Sequence, residues 1–171
     1  MKDEIRYNVA VRVLHWLVFL AALIAVVAIE LDDSHDGGPS VLFRIHQSAG
    51  LAVFALMSLR LLVRLATPVP ASLPGPRRIA QLATLTHAVL YLLMLAMPVL
   101  GVLAVAWSGE PVDAFGMTLS LALTPSRSLA HLVREIHESG ATFVYIFVGL
   151  HAVGALWHQF VVRDDVMRRI W

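Results

Sequence analysis

The chain has 171 residues, no cysteine and a formal net charge of +1, with 58% hydrophobic and 15% charged residues, against roughly 45–50% and 25% in soluble domains. Those values exclude a disordered chain, a disulfide scaffold, a thiolate metal site and an ordinary soluble enzyme, and they give no sign of a nucleic-acid partner. Together with a mean hydropathy of +0.76, they predict one integral membrane domain over residues 1–171.

Four apolar runs predict an all-α bundle of four transmembrane helices, at about 9–29, 43–66, 79–107 and 137–162. A hydrocarbon core about 30 Å thick takes roughly 20 helical residues. No run alternates with the period of two that a barrel strand needs, and in lipid the backbone must bond to itself. The first run, Val9 to Ile29, follows Lys2 and Arg6 and has a passable cleavage motif at Val26-Val27-Ala28. It is longer than a signal-peptide core and carries His15, so it is read as a spanning helix. The second, Ile45 to Leu65, is interrupted by Arg60 and Arg64 near its end. A proline-rich loop, Ala71 to Pro76, leads to the third, Ile79 to Gly109, which has no charged side chain. Pro98 within it predicts a kink. Phe115 to Leu132 mixes apolar residues with Thr, Ser and Pro125, predicting a short amphipathic segment along the membrane surface. Ser139 to Val162 is the fourth run.

Basic residues orient the bundle. Lys2, Arg6, Arg12, Arg60, Arg64, Arg77, Arg78, Arg163, Arg168 and Arg169 fall on one side, ten of the thirteen in the chain. The positive-inside rule makes that side, with both termini, cytoplasmic. The other side has Arg44, Arg127 and Arg134 against Glu30, Asp32, Asp33, Asp36, Glu110, Asp113, Glu135 and Glu138, a formal balance of −5.

Eight histidines are many for so apolar a chain. A polar residue inside a membrane is costly and marks function by default. A single one is most simply an interhelical hydrogen bond; His15, His46, His87, His137, His151 and His158 spread over four helices are harder to explain that way. His137 and His151 are fourteen residues apart, which returns them to nearly one helix face about 21 Å apart along the axis. His158 falls seven residues further on the same face. Zinc needs three or four clustered ligands. Two tiers of paired imidazoles suit haem, whose iron takes one axial ligand on each side. Helix direction pairs His46 with His137 near the outer face. The inner pair is to be drawn from His15, His87, His151 and His158.

The chain resembles the prokaryotic cytochrome b561 family in Arg12-Val-Leu-His15-Trp16, Ile45-His46-Gln-Ser-Ala-Gly50, Arg60-Leu-Leu-Val-Arg64, His87-Ala-Val-Leu-Tyr91 with Pro98-Val-Leu-Gly101, and His137-Glu-Ser-Gly140 through Gly149-Leu-His151 to His158. The likeness is greatest to short members proposed to be superoxide:quinone oxidoreductases. It implies two haem b groups, with His15–His151 and His46–His137 as iron ligands. It also implies a site for ubiquinone at His87 and His158. A cationic mouth would suit superoxide, and the acidic outer side departs from that. The resemblance assigns no catalytic residue.

Other readings stand beside these. His87 and His158 are also explained by a hydrogen bond to a carbonyl or a haem propionate. His35 reads as a solvated loop residue and His131 as an interfacial one or an outer haem neighbour. Arg60 and Arg64 read as propionate partners or headgroup anchors. Trp16, Trp107 and Trp157 fit interfacial belts, and Trp16 also fits packing on the inner haem. Gly50, Gly140, Gly149 and Gly154 allow close approach of helices or a macrocycle. Among other functions, an electron-transfer subunit would serve a basic periplasmic redox partner. A transporter would use the histidines without haem.

Overall fold

A computed structural model describes residues 6–33, 40–70, 76–164 and 166–171. Lys2, His35, Asp36 and most of the proline-rich loop lie outside the described residues. The elements are helix α1 (Val9–Glu30), α2 (Val41–Ala66), α3 (Arg77–Ser108), a hairpin of β1 (Val112–Ala114) and β2 (Met117–Leu119), and α4 (Arg127–Trp157). A π turn, His158–Val162, extends α4, and Met167–Arg169 forms a 3₁₀ turn. All four helices are long and apolar enough to cross a membrane.

Side chains start three of the helices. Asn8 accepts from the Ala10 N–H at 2.8 Å and Ser40 from the Phe43 N–H at 2.8 Å. Ser126 accepts from the Leu129 N–H at 3.5 Å. Each satisfies an amide that the helix cannot. Helix α3 begins after Pro76, whose carbonyl accepts from Ile79 and Ala80. It runs through Pro98 without a break in the assigned helix and ends at Gly109, φ +87°.

The first three spans agree with the sequence reading to within two residues at each end. The fourth does not. Helix α4 starts at Arg127, ten residues before the expected 137. Arg127, Arg134 and Glu135 hide this stretch from a search for apolar runs. It is a helix because Ala130 and Val133, one turn apart, bury one face, while the charged face points outward. The expected surface segment at 115–132 is replaced by the hairpin, an extended stretch to Ser126, and this first part of α4.

Helix α1 packs along α2 and α3 along α4, with a smaller α2–α3 contact; α1 and α4 meet sparsely. The central core is Val18, Ala21, Val53, Met57 and Met94, flanked by Tyr91 and Val144. In α4 the buried residues are Ala130 and Val133, both before the apolar span. The apolar span of α4 itself is exposed or half-buried.

The C-terminal segment returns to α1. The Trp16 indole N–H donates to the Ile170 carbonyl at 3.3 Å, the Trp16 and Trp171 rings are 5.2 Å apart, and the Tyr7 N–H donates to the Arg169 carbonyl at 3.1 Å. Tyr7 and the C-terminal segment thus lie at one end of the bundle, the terminal end. The hairpin lies at the other.

Candidate functional site

At the hairpin end, α2 and α4 bring His46 and His137 together, with ring centres 6.1 Å apart and planes nearly perpendicular. Each ring is tied through Nδ1 to a carbonyl of the neighbouring helix, His46 to Ala25 at 2.8 Å and His137 to Met97 at 2.9 Å. A carbonyl can only accept, so each Nδ1 carries the hydrogen and each Nε2 presents a lone pair. That is the tautomer a metal ligand needs, oriented by an outer hydrogen bond.

Packing holds His137 as well. A Cβ placed on Gly101 would sit 3.2 Å from its Cε1, and one on Gly140 would sit 2.5 Å from the Met97 sulfur. The motif glycines Gly101 and Gly140 let α3 and α4 close around the ring. Gly50, one turn past His46, instead faces open space, with no atom within 4 Å of a would-be Cβ.

The residues after His46 clamp the hairpin. The Gln47 side-chain oxygen accepts from the Asp113 N–H at 2.7 Å. The Ser48 hydroxyl donates to the Asp113 carboxylate at 3.1 Å and accepts from the Phe115 N–H at 2.9 Å. Phe115 and Gly116 turn the hairpin with φ of +57° and +82°, the paired positive values of a tight hairpin turn. The sequence reading used this stretch only as a motif.

At the terminal end, His15 and His151 repeat the 6.1 Å ring separation. His87 is nearer still to His151, at 5.3 Å. The third imidazole anticipated at this level is therefore present. Arg60 places its guanidinium 5.4 Å above the Tyr91 ring, and Arg64 lies 5.2 Å above Tyr7.

His158, expected beside His87, has a different recorded partner. It opens the π turn, and its Nδ1 lies 2.6 Å from Asp164 Oδ2. The Asp164 carboxylate also accepts from the Val166 N–H at 3.0 Å. Burial raises this carboxyl's pKa, but the His158 and Val166 hydrogen bonds and the charges of His158 and Arg169 outweigh that and lower it. Asp164 was not a candidate in the sequence because its partner is set by the turn, not by helical spacing.

His131 points to solvent beside Glu135, at 3.5 Å. Trp16 spends its N–H on the C-terminal segment rather than on the histidine tier.

These residues fit haem. An imidazole–metal bond of about 2 Å on each side, plus roughly 1.1 Å from nitrogen to ring centre, separates two trans imidazoles by about 6 Å. Both tiers show that spacing, and a Cβ on Gly50, one turn past His46, would meet nothing within 4 Å. Among the described residues no group of three His, Asp or Glu side chains is arranged for a free metal ion.

Comparison with known proteins agrees. Residues 6–171 match the family described as prokaryotic cytochrome b561. The chain is 35% identical over 159 residues to a probable superoxide oxidase CybB of Yersinia pestis, covering 92% of this chain and 90% of that protein. It is 32% identical over 161 residues to cytochrome b561 homolog 1 of Escherichia coli K12, covering 92% of each. A cytochrome b562 of Cereibacter sphaeroides is 31% identical over 128 residues, which are 74% of this chain and 65% of that one. With its four spanning helices and paired histidines, the chain belongs to the prokaryotic cytochrome b561 family, multi-pass inner-membrane electron-transfer proteins that hold b-type haem.

Proposed function

We propose that the protein is a dihaem cytochrome b that oxidises superoxide on the periplasmic side and reduces ubiquinone near the cytoplasmic side. The observation that carries this reading is the repeated imidazole pair, His46–His137 and His15–His151, each at 6.1 Å. Haem b, when bound, accepts and releases single electrons. Two superoxide anions leave as two molecules of oxygen, and their two electrons with two cytoplasmic protons convert a quinone to a quinol. Both termini face the cytoplasm, as the arginines of the terminal end favour.

The protein's own groups have separable tasks. In each pair both imidazoles would hold a haem, which would supply one-electron oxidation of superoxide without an oxygen ligand. The Ala25 and Met97 carbonyls keep the His46 and His137 Nε2 atoms aimed inward. His87 and His158 serve the quinone, and His158 Nδ1, against Asp164, is a proton-holding atom near the cytoplasm. The relative from Yersinia pestis supports superoxide as the donor.

The charge of the hairpin end favours a second reading. Glu110, Glu135 and Glu138 are exposed there, which suits a basic periplasmic redox protein as donor.

A superoxide pulse, with outer-haem reduction followed at several ionic strengths, with and without quinone, separates the readings. Superoxide oxidation requires reduction by the pulse. Its rate should rise with salt, because acidic repulsion is screened over about 10 Å at 0.1 M. No reduction under any condition leaves the electron-transfer subunit. A reduced-minus-oxidised spectrum with haem quantification should give two low-spin haems per chain without carbon monoxide binding. A haem-free protein would restore the transporter. His158→Ala should slow reoxidation by quinone while both haems stay; unchanged reoxidation removes His158 from the quinone site.

A further inference from the structure

A groove on the outside of the bundle, at the hairpin end, combines an apolar wall with a charged rim. It has a volume of about 600 Å³ and lies between α1, α2 and the hairpin. Ala21 and Ile24 of α1 and Ile45 and Ala52 of α2 form its wall; Arg44 and Asp113 stand at its rim. Ile24 and Ile45 are exposed. Ile24 is nine residues past His15, and Ser48, which also lines the groove, is two past His46. At about 100° per residue, both are on the far side of their helices from those histidines. The groove therefore opens outward, into the lipid around the spanning helices.

Its polarity follows the membrane normal. Arg44 is in the first turn of α2 and Asp113 is in the hairpin, both at the same end of the bundle. Ala52 is eight residues past Arg44, about 12 Å deeper along the helix. A phospholipid has the same order, a charged head at the surface and hydrocarbon beneath it.

The rim charges specify the head. Arg44 and Asp113 are opposite in sign, yet neither forms an ion pair with the other or with any described residue. Asp113 is fixed in place: its Oδ1 accepts from the Ser48 hydroxyl at 3.1 Å and from the Gly116 N–H at 2.9 Å. Its Oδ2 has no hydrogen bond among the described residues. Two unpaired charges on one rim are complementary to a zwitterion, since a guanidinium donates to phosphate and a carboxylate accepts from an ammonium. An anionic head would suit Arg44 but be repelled by Asp113. A quaternary ammonium has no N–H to donate.

We propose that this groove binds one phosphatidylethanolamine from the leaflet at the hairpin end. Its phosphate sits on Arg44, its primary ammonium on Asp113, and an acyl chain lies between α1 and α2. The bound lipid braces the hairpin against α2. The site is independent of what the histidines hold.

The test is native mass spectrometry of the full-length protein in detergent. The protein is offered equal amounts of phosphatidylethanolamine, phosphatidylcholine and phosphatidylglycerol with identical acyl chains. One phosphatidylethanolamine per chain should be retained in preference to the other two. Arg44→Gln should weaken its binding about tenfold, as loss of one charge-assisted hydrogen bond implies. Asp113→Asn keeps an oxygen for Ser48 and Gly116 and removes the charge; it should let phosphatidylglycerol compete equally. Ile24→Trp leaves both charges and fills the groove, so it should weaken all three lipids. A variant that fails to fold leaves the wild-type competition to decide.

Equal retention of the three lipids, a preference for phosphatidylglycerol, or unchanged binding in Arg44→Gln overturns the site. A second copy of the chain seated on the groove would give a dimer that Ile24→Trp dissociates, with no lipid retained, and that result also overturns it.

Discussion

The two histidine tiers share a ring separation and differ in almost everything around it. At the hairpin end, His46 and His137 are held by carbonyls of Ala25 and Met97, closed in by Gly101, and set near the acids of the hairpin and of α4. At the terminal end, His15 and His151 are joined by a third imidazole and by the charge of the half-buried Arg60. The contrast shows how one ligand geometry can serve opposite ends of an electron path. The ligands set the coordination, and the surrounding charge sets how stable an added electron is. If both pairs hold haem, as proposed, the charge around them would make the terminal end the better electron acceptor.

Removing ligands breaks the comparison outright and has the largest expected effect. His46→Ala or His137→Ala should lose one haem and keep the terminal-end one; His15→Ala or His151→Ala should do the reverse. Haem per chain measures this. His87→Ala should keep both haems, because its ring lies closer to His151 than the spacing of a trans pair. If it loses the terminal-end haem as fully as His15→Ala does, His87 is the ligand.

A potentiometric titration of the wild type tests the charge contrast. It should resolve two steps, and the step missing from His15→Ala should be the one at higher potential. The reverse order would mean that local charge does not set the direction.

A smaller change should touch one tier alone. Gly101→Ala places a methyl 3.2 Å from His137 Cε1. Overpacking of this kind costs about 1–3 kcal/mol. Thermal loss of the hairpin-end haem should come at a lower temperature, with the terminal-end haem unaffected. Gln47→Ala should be milder, about 1 kcal/mol for the acceptor lost to the Asp113 N–H. Faster hydrogen exchange in the hairpin would report it.

The smallest effect concerns acid. The folded Asp164 carboxyl lies below its ordinary value of 3.8. Its contribution is therefore complete above about that pH and is lost as pH falls through the lower folded value. Exchange protection of the C-terminal segment should weaken in that window, and Asp164→Asn should abolish the dependence.

Apolar run length and backbone hydrogen bonding in lipid were enough to place three helices and the body of the fourth from the amino-acid order. The fourteen-residue step from His137 to His151 was likewise legible, because helical period and rise are local properties. The first turns of α4 were not, since a charged amphipathic helix and a polar connection have similar composition. The choice between His15 and His87 beside His151 was open for a different reason: both lie at a compatible depth, and only the packing of helices gives their distances. The carbonyls of Ala25 and Met97 carry no sequence signal, because every residue has one. Arg12 reads from the sequence as a topology charge; that its Nε atom is buried is decided by helix packing. Spacing along one helix is dictated by covalent geometry, whereas the partner across a bundle is chosen by contacts between segments far apart in the chain.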